Sequence, residues 1–352
     1  MPGSRAQRVP QASLANNQTN RPPAFRFRLG TVADLSHCIA LMPPGFRAEG
    51  RVQAKLVELW HRLLATDART FAIVEDLERP YPDNIEAFGL SVFVTDSFLN
   101  EFLEAPKPYL PALIYARMME NLPVILTPAQ LRIANATTGI NIVTLHGGMR
   151  NWDFADPRTL QAAMAASAAF VFFHGGYHIN HIVSELYGLE AARFVELAGF
   201  RLVCDFASER PDAFSHIPPN HHPQLALLRP EWIEIGAASP LFQLVLSPPA
   251  RIGFATAERR LLERALLNEP DADIASALGV SADTVKKTWR NIYERVAREA
   301  PFLAPVGDRM RPEGRGKERR RHLLDYLRTH LEELRPGRAP ESTARVPIRT
   351  SH

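Results

Sequence analysis

Residues 254–296 read FATAERRLLERALLNEPDADIASALGVSADTVKKTWRNIYERV, and this stretch decides the fold of the C-terminal part of the chain. It contains a short helix whose small apolar face is formed by Ile274, Ala275 and Leu278. Gly279 then permits a tight turn, Val280 is placed to fill the angle between two helices, and Ser281 is a suitable N-cap for the second helix. The spacing therefore predicts two helices joined by a turn.

The second helix, residues 281–297, divides into two faces. A buried stripe at spacings of four, three and four residues is formed by Val285, Trp289, Ile292 and Val296. The other side carries the candidate DNA-contacting residues, which are short polar or basic: Ser281, Thr284, Lys286, Lys287, Arg290 and Asn291. Lys286 and Arg290 flank this face, where they suit the phosphate backbone. A helix divided in this way fits the major groove of duplex DNA.

This segment resembles the LuxR-type helix-turn-helix, whose pattern runs L-T-x-R-E…E-I-A-x-x-L-x-I-S-x-x-T-V-K-x-H. The matching positions are Phe254, Glu258, 273–275, Leu278, Val280, Ser281 and 284–286. Ala257 and Thr288 stand where the family usually has Arg and His, and NEPD replaces a Gly/Ser loop. The resemblance implies a transcription regulator that binds double-stranded DNA.

Two alternatives compete with this interpretation. One is a helical hairpin without DNA-binding function. The other is the fourth region of a sigma factor, which has a similar helix-turn-helix. A sigma factor would also need a promoter-melting region upstream, and the α/β pattern that precedes the segment is not one.

That pattern occupies residues 25–206. Apolar runs predict strands at 25–29, 70–76, 85–95, 140–145, 168–173 and 200–206. Helical spacing predicts helices at 31–42, 48–65, 157–168 and 177–197, with a proline-broken helical insertion at 97–135. Short β-like runs follow in QLALL, WIEIG and LFQLVL, between residues 207 and 250. Strands that alternate with helices predict an α/β layer fold.

The strings FRLGTVADLSHCIALM and GLEAARFVELAGFRLVCDF resemble the opening and closing parts of a GNAT-type N-acyltransferase. The resemblance implies a mixed sheet flanked by helices, and a coenzyme A pyrophosphate held at a helix N-terminus behind a basic, Gly-rich loop. The equivalent stretch, LHGGMRNWDF, keeps Gly147, Gly148 and Arg150 but lacks the repeated Arg/Gln-Gly-x-Gly pattern. We therefore expect a degenerate domain used for sensing or dimerisation, with an active acyltransferase that carries a DNA-targeting module as the alternative.

The expected organisation has six parts: a disordered lead-in at 1–23, an α/β GNAT-like regulatory domain at 24–248, an all-α helix-turn-helix domain at 251–305, a linker at 306–316, an amphipathic helix at 317–335 and a disordered tail at 336–352. The amphipathic helix places Leu323, Leu324, Leu327, Leu331 and Leu334 on one face. Its arginines at 319–321 are either a solvated charge run or phosphate contacts.

No enzyme motif accompanies these elements, since GxSxG, HExxH, P-loop and GxGxxG patterns are absent. His174, His178 and His181 could bring two imidazoles together, but no Cys or acidic cluster at metal-site spacing joins them. Cys204 lies in an apolar run typical of core packing. We predict no metal, no cofactor and no catalytic residue.

The charge distribution and the cysteine content indicate the partners and the cellular location of the protein. Residues 251–352 hold 21 Lys and Arg against 15 Asp and Glu, whereas residues 1–250 hold 20 against 23, so the excess positive charge lies at the end predicted to bind DNA. Two widely separated cysteines, no apolar N-terminal run and no long apolar stretch predict a cytoplasmic protein without membrane contact. We expect a homodimer on duplex DNA, with RNA polymerase and an unidentified small-molecule ligand as further candidate partners.

Overall fold

The computed structural model describes residues 24–43, 45–46, 50–233, 241, 244, 248, 250–303 and 315–336. Within these residues, seven strands form one mixed sheet in the order β1-β2-β3-β4-β5-β7-β6. The strands are β1 (Phe25–Leu29), β2 (Arg69–Asp76), β3 (Ile85–Val94), β4 (Ile140–Met149), β5 (Ile179–Tyr187), β6 (Arg201–Asp205) and β7 (Pro223–Leu228). Neighbouring strands are antiparallel except β4 and β5, which are parallel.

Helices cover both faces of the sheet. They are α1 (Leu35–Ala40), α2 (Gly50–Leu64), α3 (Asp96–Glu104), α4 (Leu110–Met119), α5 (Pro128–Ala136), α6 (Pro157–His174), α7 (Leu189–Leu197), α8 (Phe206–Glu209) and α9 (Pro211–Phe214). Alternate strand residues enter different cores: Phe71 of β2 packs with Trp60 of α2, whereas the adjacent Ala72 packs with Ala169 of α6. This alternation explains why β2 and β3 are apolar on both sides.

The mixed sheet with flanking helices agrees with the expected fold class. Two expected elements after residue 140 were wrong, however. The expected strand at 168–173 is the end of α6, and the first half of the expected helix at 177–197 is β5. An apolar run does not distinguish a buried strand from a buried helix by spacing alone. Asp156 caps α6 through the Arg158 N–H, and the helix then continues through its alanine-rich centre to His174.

The C-terminal helices form a second core. They are α10 (Thr256–Leu266), α11 (Asp271–Leu278), α12 (Ala282–Glu299) and α13 (Arg315–Thr329). Their buried side chains include Leu261, Leu262, Ile274, Val285, Ile292, Leu323 and Leu327. The expected amphipathic helix at 317–335 ends earlier, because residues 331–334 turn into a 3-10 helix. The expected lead-in, linker and tail lie wholly or almost wholly outside the described residues, as do most of WIEIG and LFQLVL.

The two parts of the chain pack directly against each other. Phe172 of α6 contacts the second core, and Leu267, at the end of α10, contacts the core between α6 and the sheet. In the described part of the chain, no helix combines the length and the apolar character needed to cross a membrane.

Residues 330–336, which we call the strap, stabilise this packing through hydrogen bonds to both parts of the chain. The side chain of Arg335 is only 4% exposed, and its Nε and Nη2 donate to the carbonyl oxygens of Gly175 and Phe172 at 2.7 and 2.8 Å. Its Nη1 lies 3.2 Å from the Glu263 carboxylate on α10, and its guanidinium stacks on the Tyr177 ring. A cation at the C-terminus of α6 satisfies carbonyl groups that the helix itself leaves unpaired.

Two further contacts connect the strap to the start of the helical part and to α5. The buried Glu333 carboxylate accepts the N–H groups of Arg251 and Ile252 at 2.9 and 2.8 Å, where the helical part begins. Asn135 of α5 donates to the Pro336 carbonyl oxygen at 2.8 Å. The strap therefore bonds to both parts of the chain.

We expect Arg335→Ala to destabilise the protein by about 2–4 kcal/mol, because it leaves two buried carbonyl groups and a carboxylate without their charged donor. Arg328→Ala on the exposed side of α13 is the matched control and should cost less than about 0.5 kcal/mol. Urea-unfolding midpoints measure both effects, and equal midpoints for the two variants would contradict the prediction.

Candidate nucleic-acid interface

The turn between α11 and α12 contains the left-handed residue and the N-cap that the sequence predicts. Gly279 adopts φ +64° and ψ +35°, a left-handed conformation that most side chains avoid. The Val280 N–H then donates to the Ala275 carbonyl oxygen at 3.0 Å and closes α11. The Ser281 hydroxyl accepts the Thr284 N–H at 3.1 Å and starts α12. The expected turn and N-cap are both present.

Helix α12 is divided as the sequence predicts. Val285, Trp289, Ile292 and Val296 are all buried. Every candidate DNA-contacting residue is exposed: Ser281, Thr284, Lys286, Lys287, Arg290 and Asn291. Their side-chain contacts are local: Lys286 pairs with Asp283 at 3.2 Å in solvent, and the Ser281 hydroxyl hydrogen-bonds to the Thr284 hydroxyl at 2.9 Å. The structure brings these residues together on one surface, and DNA contact by them stays a prediction.

One expectation for this module was wrong. Val280 does not fill the angle between the helices, because 38% of it is exposed. On α11 it is Ile274 that is fully buried in the core of the C-terminal helices. When an aliphatic residue directly follows a left-handed turn residue, the sequence does not indicate the direction in which its side chain points.

Sequence reasoning also missed how α10 is tied to α12. The buried Glu258 carboxylate accepts the Ala255 N–H at 2.7 Å and the Arg295 Nε at 2.9 Å. Glu258 therefore caps α10 and fixes the far end of α12 with the same oxygen atom. The partner, Arg295, lies outside the matching LuxR-type pattern.

A second candidate site lies where β4 and β5 part. The two strands pair up to Thr144 and Ser184, after which β4 continues beside β3 and β5 beside β7. Gly147 and Gly148 belong to β4, not to a loop, which corrects the expected location of a phosphate-binding segment. A Cβ atom at Gly148 would lie 2.4 Å from the Leu41 carbonyl oxygen, so this glycine permits close packing.

The helix that follows does not fit a coenzyme A pyrophosphate. At its N-terminus the Asp156 carboxylate accepts the Arg158 N–H at 3.0 Å, and Pro157 has no N–H to offer. The hydrogen bonds from the Arg158 N–H and the Thr159 hydroxyl lower the pKa of Asp156. Its negative charge therefore occupies the position that a phosphate would need. Arg150 bonds to the Asp83 and Ile85 carbonyl oxygens, at 3.2 and 3.1 Å.

Between the parted strands lies a buried polar network. The Glu185 carboxylate accepts the Tyr187 hydroxyl at 2.6 Å and the Leu110 N–H at 2.9 Å. Burial raises the pKa of Glu185 to about 7, although both hydrogen bonds favour the ionised form. Nearby, the Tyr115 hydroxyl bonds to His146 Nε2 at 2.8 Å, and burial lowers the pKa of His146 to about 3. The insertion helix α4 thus supplies polar groups that the sequence did not indicate.

The three histidines considered for a metal are separated by the fold. His174 ends α6 and bonds to Thr70 and the Phe170 carbonyl oxygen, and His181 on β5 bonds to Asn141. Among the residues described, no group of three or more His, Cys, Asp or Glu side chains has the geometry to hold a metal ion. The Cys204 thiol donates to Glu209 at 3.1 Å, and burial raises its pKa to about 12.

Comparisons with known proteins bear on the sheet-containing part. No protein-family model matches the chain, and no curated protein matches it. Among solved structures, it is similar to a spermidine N-acetyltransferase from Vibrio cholerae (10% identity, TM-score 0.32, covering 58% of this chain and 94% of that one). Two others are the loading GNATL domain of CurA from Lyngbya majuscula (9%, TM-score 0.35, 58% and 97%) and the GNAT-like decarboxylase GphF in complex with isobutyryl-CoA (12%, TM-score 0.31, 58% and 98%).

These identities and TM-scores are low, so the description of a mixed sheet flanked by helices rests on the observed strand order and helices alone. The comparisons give no support for a LuxR-type module, which remains a prediction for the all-helical C-terminal part.

We expect Glu185 to make the protein less stable as the pH rises. Its folded pKa of about 7 exceeds the ordinary value of 4.5, so its stabilising contribution is complete below pH 4.5 and is lost as the pH rises through 7. The loss amounts to about 3 kcal/mol. Glu185→Gln cannot ionise, so the difference in unfolding free energy between this variant and wild type should change by that amount across the window. A difference independent of pH would contradict the prediction.

Proposed function

We propose that this protein is a DNA-binding transcription regulator that reads duplex DNA with α12. One observation carries the proposal. Directly after a left-handed turn, α12 buries an apolar stripe and exposes a face of Thr, Lys, Arg and Asn side chains. A helix of this kind can enter the major groove without disturbing its own packing.

The exposed residues would have different roles. Thr284, Lys287 and Asn291 lie opposite the buried stripe and would approach base edges, where Lys and Asn side chains recognise guanine and adenine. Lys286 and Arg290 lie to one side and would contact phosphates. Ser281 caps the helix close to the same surface.

The remaining partners belong to the same proposal. A single helix-turn-helix covers little DNA, so we expect a homodimer on two half-sites. The α/β part would provide dimerisation or would bind a small-molecule ligand, and RNA polymerase is a further candidate partner. In this assembly the α/β part carries no catalytic role.

Lys287→Ala and Arg290→Ala test the two roles by fluorescence anisotropy on a selected DNA duplex and on a scrambled one. Lys287→Ala should cost about 1–3 kcal/mol on the selected duplex and reduce preference at one base position. Arg290→Ala should weaken binding to both duplexes and lower the salt slope by about one unit. Arg193→Ala, at an exposed position on α7, is the control. If both α12 variants stay folded and bind like wild type, the assignment of α12 fails.

An acyl-coenzyme A-dependent N-acyltransferase with a DNA-targeting module is the second candidate. The separation of β4 and β5 beside the buried Glu185 and His146 favours it, because titratable groups with shifted pKa values gather at active sites. The Asp156 carboxylate at the N-terminus of α6 opposes it.

We expect no binding of acetyl-coenzyme A and no release of free thiol from it with amine substrates. Isothermal titration calorimetry and a thiol-release assay check this on the full chain. Turnover by wild type that Glu185→Gln abolishes, while the variant stays folded, would establish the acyltransferase instead.

A further inference from the structure

A pocket opens on the surface of the α/β part between the connection that follows β3 and the connection that follows β6. One wall is formed by Tyr109, directly before α4, and the other by α8, α9 and the residues after them up to Ile217. The volume of the pocket is about 290 Å³, near the lower limit for sites that hold small molecules. Binding sites are commonly built on such connections, because a rigid sheet positions them.

The floor of the pocket is apolar and largely aromatic. Phe206, Phe214 and Ile217 line it, and all three are buried in the core of the sheet-containing part. The Phe214 ring also packs edge-on against His222, whose Nε2 donates to the Ile217 carbonyl oxygen at 2.8 Å. These contacts fix the shape of the floor, so the apolar body of a ligand would meet preformed aromatic surfaces.

The opposite wall has a strained backbone. Tyr109 adopts φ +67° and ψ +46°, a left-handed conformation that residues other than glycine rarely adopt. The N–H groups of Tyr109 and Leu110 both bond to the Glu185 carboxylate on β5, the second at 2.9 Å. Strain of this kind persists only where the surrounding structure holds it, and it is concentrated at functional sites and ligand clamps. The wall is therefore held in place before any ligand binds.

Two basic side chains line the pocket, and its lining contains no carboxylate. Arg210 joins α8 to α9 and His216 follows α9, and both are exposed. Among the residues that the structure describes, the Arg210 guanidinium has neither an ion pair nor a hydrogen-bond acceptor. Of the acidic residues nearby in the chain, Asp205 caps α8, Glu209 accepts a thiol hydrogen bond, and Asp212 lies outside the lining. Arg210 thus offers an unused positive charge beside an apolar floor.

We propose that this pocket binds a small aromatic carboxylate. The ring would lie against Phe206, Phe214 and Ile217, where it is removed from water. The carboxylate would pair with Arg210, whose planar fork matches two carboxylate oxygens, and His216 would supply a further hydrogen bond. The inference names the class of ligand that the α/β part would take, so its regulatory meaning rests on the proposed function, whereas the binding itself requires no DNA.

Isothermal titration calorimetry on the full chain tests the pocket with benzoate, phenylacetate and cinnamate. At least one of them should bind with a Kd on the order of 1 mM or below, as expected for ligands of this size. The corresponding amide keeps the ring and loses the charge, so it should bind at least about tenfold more weakly. Acetate keeps the charge and lacks the ring, and it should be weaker by a similar factor.

Three variants test the location. Arg210→Gln should weaken binding about tenfold or more, because it removes a charged hydrogen-bond donor from an exposed side chain. Arg193→Gln removes the same charge from an exposed position on α7 and should bind as wild type does. Ala213→Leu enlarges an exposed side chain in the lining and should abolish binding by filling the pocket. Circular dichroism melting checks that each variant is folded.

Failure of the three carboxylates to bind wild type overturns the proposal, and so does equal binding by Arg210→Gln and wild type. Equal affinity for the acid and its amide overturns it as well, because the charge of the ligand then plays no part. Wild-type binding by a folded Ala213→Leu variant shows that the ligand lies elsewhere. None of these measurements uses DNA, so they leave the proposed function to be decided by Lys287→Ala and Arg290→Ala.

Discussion

The buried guanidinium of Arg335 is the interaction on which the arrangement of the whole chain depends. A charge removed from water is costly unless hydrogen bonds and an opposite charge surround it. Here those partners come from two places: the carbonyl oxygens at the end of α6 and the Glu263 carboxylate of α10. Neither part alone supplies the full set, so the charge is satisfied only when the two parts are packed together.

This dependence gives α6 a role beyond covering the sheet. Its last turn supplies Phe172 to the core of the C-terminal helices and two carbonyl groups to Arg335. Its N-cap is Asp156, whose carboxylate disfavours a bound pyrophosphate. The same helix therefore ends at the part proposed to bind DNA and begins at a carboxylate on the other side of the sheet-containing part.

Local chemistry determined what could be predicted from the sequence. The turn at Gly279, the cap at Ser281 and the stripe from Val285 to Val296 are encoded within a few residues of one another, and all three were correct. The segment from 168 to 187 was not, because the strand-like apolar run Phe170–Phe173 ends α6, whereas Ile179–Ile182, interrupted by Asn180 and His181, forms a strand through its pairing with β4 and β7. The partners of Arg335 and Glu185 are distant in sequence, so no spacing rule could indicate them.

The position of the strap along the chain has a consequence for biosynthesis. Chains fold from the N-terminus as they are made, and here the sheet is complete at residue 228 and α12 at residue 299. The residues that lock these parts together, 330–336, are translated after both. Until residues 330–336 are made, the contact between α6 and the C-terminal helices therefore lacks the hydrogen bonds of Arg335 and Glu333, and the packing of Phe172 and Leu267 must hold the two parts together.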